Sequence, residues 1–301
     1  MNLLKVALLI PVSLFFTACP AEKDPQALCK AGDQAACSDL GVSLLKSDPV
    51  RATTLFRAAC EAGRNEACFN LARGMELGQG AAKDLAGAMG LYEKACDQKL
   101  WVACLRLGRI LGTSTAIEKD SKRAFGLFEK ACLGGDLRGC NEAATMQNLG
   151  RGVVADHGAA LKRWRKSCAA GHADGCAGLG RATLEGWGLE ANAPAAVALL
   201  EQACGQKSLR ACARLAVCLE KGRGVKADWP RAVKLMDRAC KGGQADICQR
   251  LGELYLEGRR VKKSEDAALS YLEKACELGM GVACMQRDVV EESRSRKKKS
   301  P

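Results

Sequence analysis

Apolar residues along this chain recur at intervals of four rather than two, in blocks that return many times. Between Asp48 and Cys60, the small Ala52, the large Phe56 and Cys60 itself stand four positions apart, with mixed residues between them. Positions four apart share one face of an α-helix, so the block predicts a helix with one buried stripe. The stripe returns as Ala88, Tyr92, Cys96; Ala124, Phe128, Cys132; Ala160, Trp164, Cys168; Ala196, Leu200, Cys204; Ala232, Met236, Cys240; and Ala268, Leu272, Cys276. Four residues before each alanine stands Asp48, Asp84, Asp120, Asp156, Asn192, Asp228 or Ser264. All are residue types that cap a helix N-terminus by accepting a first-turn amide. Pro49, directly after Asp48, suits the first helical position. Each block therefore predicts a helix B of about thirteen residues, and its unvarying alanine implies a close neighbour.

A second stripe begins after a second cysteine. Leu40, Leu71, Leu107, Leu179, Leu215 and Leu251 each stand three residues beyond one, often followed by Gly or Ala. This helix A runs into a glycine-rich turn such as LEKGRGVKAD. One A–B hairpin cannot bury its apolar face alone. Stacked hairpins can, and the sequence predicts an all-α fold, a right-handed α/α superhelical solenoid of 36-residue repeats.

The cysteines set the register. First cysteines fall at 29, 60, 96, 132, 168, 204, 240 and 276, intervals of 31 and then 36. Partners follow eight residues later at Cys37, Cys68, Cys104, Cys140, Cys176, Cys212, Cys248 and Cys284. In one continuous helix such a pair would be about 12 Å apart, whereas a disulfide needs Cα atoms within about 7 Å. The chain must turn between them, and glycine three after the first cysteine (Gly32, Gly63, Gly135, Gly171, Gly243, Gly279) supplies a left-handed helix stop. The pair Cys29–Cys37, and each pair after it, then staples the end of helix B to the start of the next helix A. Repeat one lacks five residues in its A–B turn, and the last half-repeat carries Arg287 and Asp288 in place of Leu-Gly, as a capping helix would. Cys218 falls outside the scheme and reads as a buried core thiol, with an intermolecular disulfide as the other reading.

At this period the motif AC…G…AC..LG…G.GV..D…A…L…AC resembles the SEL-one-like helical repeats, and with its cysteine pairs the cysteine-rich Hcp proteins. The resemblance covers about residues 27–290. It implies an extended superhelix with one disulfide per repeat and a role as adaptor or assembly scaffold. Relatives of the Hcp type are commonly labelled β-lactamases or penicillin-binding proteins, which makes a β-lactam-binding protein or weak hydrolase the alternative.

The N-terminus adds a compartment. MNLLKVALLIPVSLFFTAC has one early lysine, an uncharged run and small residues before Cys19. It predicts a signal peptide over 1–18, with Cys19 lipidated as in a bacterial lipobox, although Phe16 stands where leucine is usual. Residues 19–26 form a short tether, 27–290 the array, and 291–301 a basic, disordered tail. In an envelope compartment, periplasmic or outer-membrane, the cysteine pairs oxidise.

Charge narrows the partners. The chain has 46 Lys and Arg against 34 Asp and Glu, which favours anionic partners without choosing one. On helix A, Arg106, Arg214 and Arg250 stand two residues after the second cysteine, and Arg73, Arg109 and Arg181 five after it. These positions are one turn apart, so the arginines could form a ladder in a groove for an acidic peptide or anionic polymer. The competing reading is a solvated face balanced by Glu142, Glu220 and Glu253. The tail has five basic residues from Arg294 to Lys299; contact with an anionic envelope surface is its functional reading. Without an interleaved aromatic platform, nucleic acid is not expected.

Catalytic motifs are thin. Ser43-Leu-Leu-Lys46 and Ser295-Arg-Lys-Lys298 match Ser-x-x-Lys, but neither Ser-Asp-Asn nor Lys-Thr-Gly occurs. Ser43 and Lys46 are the weak catalytic candidates. Two histidines, His157 and His172, make no metal cluster and read as solvent-facing turn residues. No cofactor or metal is expected. The chain reads as an exported, lipid-anchored, monomeric scaffold whose groove binds a protein or peptidoglycan-related partner.

Overall fold

The computed structural model describes residues 24–114 and 116–299, with side chains through 296. Cys19, the signal segment and most of the tether lie outside them. Sixteen helices and no strand occur among the described residues. In chain order they are α1 (Pro25–Lys30), α2 (Gln34–Leu44), α3 (Pro49–Glu61), α4 (Asn65–Leu77), α5 (Leu85–Asp97), α6 (Trp101–Thr113), α7 (Ser121–Leu133) and α8 (Leu137–Leu149). They continue as α9 (His157–Ala169), α10 (Ala173–Glu185), α11 (Ala193–Gly205), α12 (Leu209–Lys221), α13 (Trp229–Lys241), α14 (Ala245–Glu257), α15 (Glu265–Glu277) and α16 (Gly281–Lys299). The fold is a solenoid of helix-hairpin repeats, with two compact units, one ending at Lys94 and the other beginning at Ala95.

The expected helix-B caps are all present. Asp48, Asp84, Asp120, Asp156, Asn192, Asp228 and Ser264 each accept the amide three residues on, at 2.8–3.2 Å. Each alanine of the stripe is fully buried, and the bulky residue one turn later is buried with it. In the first unit, a Cβ on Gly41 of α2 would stand 2.6 Å from the Phe56 ring, so the small residue on helix A is what lets the large one on helix B lie flat. Tyr92 donates to Glu76 at 2.8 Å in the same unit. In the second unit, successive hairpins stack so that α8 touches α10, and α10 touches α12, as well as their sequence neighbours. Tyr271 of α15 donates to Asp237 of α13 at 2.8 Å.

Eight disulfides join the cysteines in the expected order, Cys29–Cys37 through Cys276–Cys284, with Cα separations of 4.4–4.8 Å. Each ties the last turn of one helix to the first turn of the next. Gly63 shows the stop that makes this possible: its φ is +87°. Where the glycine is missing, Lys99 and Lys207 take the same left-handed conformation, at φ 65° and 69°. The disulfide fixes the turn, and the backbone complies whatever the residue. Cys218 is buried and unpaired, and burial pushes its thiol above the ordinary range. α16 continues as helix to Lys299, past residue 290 where a disordered tail was expected. In it Arg287 and Asp288 pair with each other at 2.7 Å, while Val282, Met285 and Val289 are exposed.

Candidate functional site

The second unit carries a groove of about 830 Å³. Its walls come mainly from the four successive A helices α8, α10, α12 and α14, and its floor from Trp164 of α9. The hairpin register explains the placement. The A helices turn the residue three after the second cysteine towards helix B, as buried Ala143, Leu215 and Leu251 show. Residues one, two and five after the second cysteine then fall on the opposite, groove side.

In the middle of the groove these positions are small. Ala177 and Gly178 on α10 and Ala213 on α12 leave it hollow. Gly178 is required there: a Cβ would sit 2.4 Å from the Trp164 indole nitrogen. Trp164 is the largest residue of the helix-B stripe, and its ring reaches α10 because that glycine admits it. The ring is only 4% exposed, lines the groove, and its N–H has no hydrogen-bond partner among the described residues. Asn141 of α8, also 4% exposed, offers an unpaired side-chain oxygen there, while its amide meets His172 Nδ1 at 2.9 Å. Above the floor, Trp187 is held in a stack. The Arg181 guanidinium lies 4.6 Å from its ring centre and the His157 ring 6.4 Å, tilted by 12°.

The arginine ladder is broken into paired and unpaired rungs. Arg181, Arg214 and Arg250 line the groove. Arg106 and Arg109 sit on α6 and are not part of its lining, and Arg73 belongs to the first unit, where it is exposed. Arg109 pairs with Glu142 at 2.7 Å, and Arg250 pairs with Glu220. The rows are interrupted because Glu142 and Gly178 occupy other positions of the first row, and Thr145, Val217 and Glu253 of the second.

Of the acids in or beside the groove, Asp246 has no partner among the described residues, and the others are committed. Glu142 takes Arg109 and, at 3.8 Å, Arg210. Glu185 takes Arg223 at 3.1 Å. Glu253 accepts from Gln249 and Gln286, and Asp174 from Ser208 at 2.6 Å. Arg151, Arg181 and Arg214 are left with no carboxylate at ion-pair distance among the described residues. Burial, and then the Arg214 guanidinium, hold Arg181 below the usual arginine range against the pull of Glu185. It stays charged at neutral pH, and a cation kept beside another cation gains by meeting an anion.

Ser43 lies on α2 and donates to the Leu40 carbonyl at 2.7 Å; Lys46 follows the helix end, and both are exposed. Ser295 lies on α16. No group of His, Cys, Asp and Glu among the described residues is placed to hold a metal. The histidines, read as solvent-facing turn residues, lie at the starts of α9 and α10, His157 exposed and His172 half-buried. His157 meets Asn148 at 2.9 Å and stacks on Trp187, and His172 is half-buried against Asn141. Among the described residues no helix is long and apolar enough to cross a membrane. Repeat register places Trp164 in the buried stripe but not in the groove floor, and Trp187, Gly178 and Asn141 escape it altogether. The one available signal is Gly178, which interrupts a row otherwise filled by larger residues.

A family model described as Sel1 repeat matches seven segments, residues 25–63, 65–100, 101–136, 138–172, 173–208, 209–244 and 246–280. No curated protein sequence matches the chain. Among solved structures, a Sel1 repeat protein from Oxalobacter formigenes is 25% identical, with a TM-score of 0.64 over 88% of this chain and 79% of its own. The protective antigen c5321 of uropathogenic Escherichia coli, which displays the same repeat fold, is 23% identical with a TM-score of 0.62. The match covers 86% of this chain but only 56% of that antigen's length. Cysteine-rich protein B of Helicobacter pylori is 30% identical over 43% of this chain, with a TM-score of 0.35.

Proposed function

Because the chain belongs to the Sel1 repeat family, we propose that it is a disulfide-stapled scaffold that binds a protein partner in the groove of its second unit. The observation that carries this reading is the groove itself: four consecutive A helices contribute to one surface, and its middle is hollowed by Ala177, Gly178 and Ala213. Four bridges, one at the start of each wall helix, hold them in register, so little conformational freedom is lost when a partner docks. The bridges suit an oxidising compartment. Export through the segment 1–18, with lipid on Cys19, would tether the scaffold to the envelope, and mass analysis of the mature N-terminus tests that attachment.

Site-directed photocrosslinking in the native host tests the groove. A photoreactive residue at Arg214 is expected to trap one discrete partner, whereas the same residue at Lys162, exposed on α9, traps none. Equal capture from both positions would overturn the reading.

A further inference from the structure

We propose that the middle of this groove seats an acidic side chain, and that the partner enters as an extended segment carrying a glutamate or aspartate beside an apolar residue. This rests on the groove reading above and adds the chemistry of its occupant.

Three observations converge. Among the described residues, the donors lining the groove outnumber its free acceptors: Arg151, Arg181 and Arg214 have no carboxylate partner and the Trp164 N–H has no acceptor, against the Asp246 carboxylate and the Asn141 oxygen, while Glu142, Glu253 and Asp174 are already engaged. Guanidinium forks bind a carboxylate with parallel hydrogen bonds, the strongest class available to a protein. Second, the donors are pre-positioned. Arg181 is laid on Trp187, which His157 backs, so little side-chain freedom remains to be lost on binding. Third, apolar surface is at hand: the Trp164 ring, Ala177, Ala213 and Val217 face the same space.

The dimensions set the length of the segment. Packed helices stand about 8–10 Å apart, so four of them span about 30 Å, the length of about nine residues of extended backbone. An extended chain lying across the helices presents side chains to each of the four in turn.

A positional library of extended nonapeptides tests the proposal, with each Glu-containing peptide run beside its Gln counterpart on the full oxidised chain. Acidic peptides should bind about ten-fold or more tightly than their amides, the usual value of a charge-assisted contact. Arg181→Gln and Arg214→Gln should abolish that preference, while Lys162→Gln keeps it. Arg214 is exposed and Arg181 half-buried, so Arg214→Gln keeps the test decisive even where Arg181→Gln does not fold. Loss of preference in either arginine variant supports the proposal. No preference for acid over amide, or a preference indifferent to both arginines, overturns it. Two competitors are included. Free glutamate matching the peptides would overturn the extended segment in favour of a small anion, and polyphosphate displacing them at equal charge would replace it with an anionic polymer. If no acidic peptide binds but photocrosslinks still form at position 214, the chemistry fails and the groove reading stands.

Discussion

Gly63 makes the cost of a left-handed backbone measurable by itself. Its φ is +87°, and a Cβ built there meets nothing within 4 Å. Gly63→Ala therefore adds no clash and is expected to destabilise by about 1–2 kcal/mol from conformation alone. Lys99 has already accepted that cost, at φ 65°. Lys99→Gly should raise the unfolding free energy in urea titration, by up to about 1 kcal/mol after its greater unfolded-state freedom is subtracted. Opposite signs at equivalent turns are the signature; a loss at both would refute the assignment of strain. Cys218 gives a chemical counterpart. Its thiol is buried and its pKa raised by that burial, so less thiolate exists at a given pH than for a free cysteine. At pH 8 the native chain should resist iodoacetamide and react only when unfolded. Rapid native alkylation would show that the core opens there.

At the scale of helices, the staple and the cap act at the two ends of one helix, α8, which the Cys132–Cys140 bridge holds at its start and the turn capped by Asp156 follows at its end. Replacing Cys132 and Cys140 by alanine frees an eight-residue separation and should cost about 2–3 kcal/mol by the loop-closure account. Asp156→Ala removes the bond to the Ala159 amide at 2.8 Å and should cost about 1 kcal/mol. Because the cap and the bridge lie at opposite ends of hairpin elements, the two losses should add in urea titrations. The helices were legible because each signal is local. Asp156 caps its own helix, Ala160 and Trp164 lie one turn apart on it, and the cysteine pair closes its own turn. The groove was not, because its character depends on which repeats meet. Arg250 and Arg181 occupy rows read equally from sequence, yet Arg250 finds Glu220 across the hairpin boundary while Arg181 finds Trp187. A row position says that a residue faces the groove; only its neighbours in the adjoining repeat say whether its charge is already answered.

At the scale of the whole chain, the staples change what it means to cut the protein. Between the two cysteines of each joint the backbone and the disulfide run in parallel, so there are two covalent routes from one repeat to the next. Arg64, Lys99 and Lys207 sit exposed inside such loops, within Cys60–Cys68, Cys96–Cys104 and Cys204–Cys212. Trypsin cutting after any of them would open a loop and leave the chain in one piece, heavier by one water. A cut after Lys83 or Lys226, in the turns between helices A and B, has no second route across it and would release a fragment. Limited digestion should thus give few bands on a non-reducing denaturing gel and more after thiol treatment, the added ends mapping to residues 64, 99 and 207. Identical patterns with and without reduction would contradict it. At every stapled turn a break is survivable, and there the molecule behaves less like a string than like a chain of closed links.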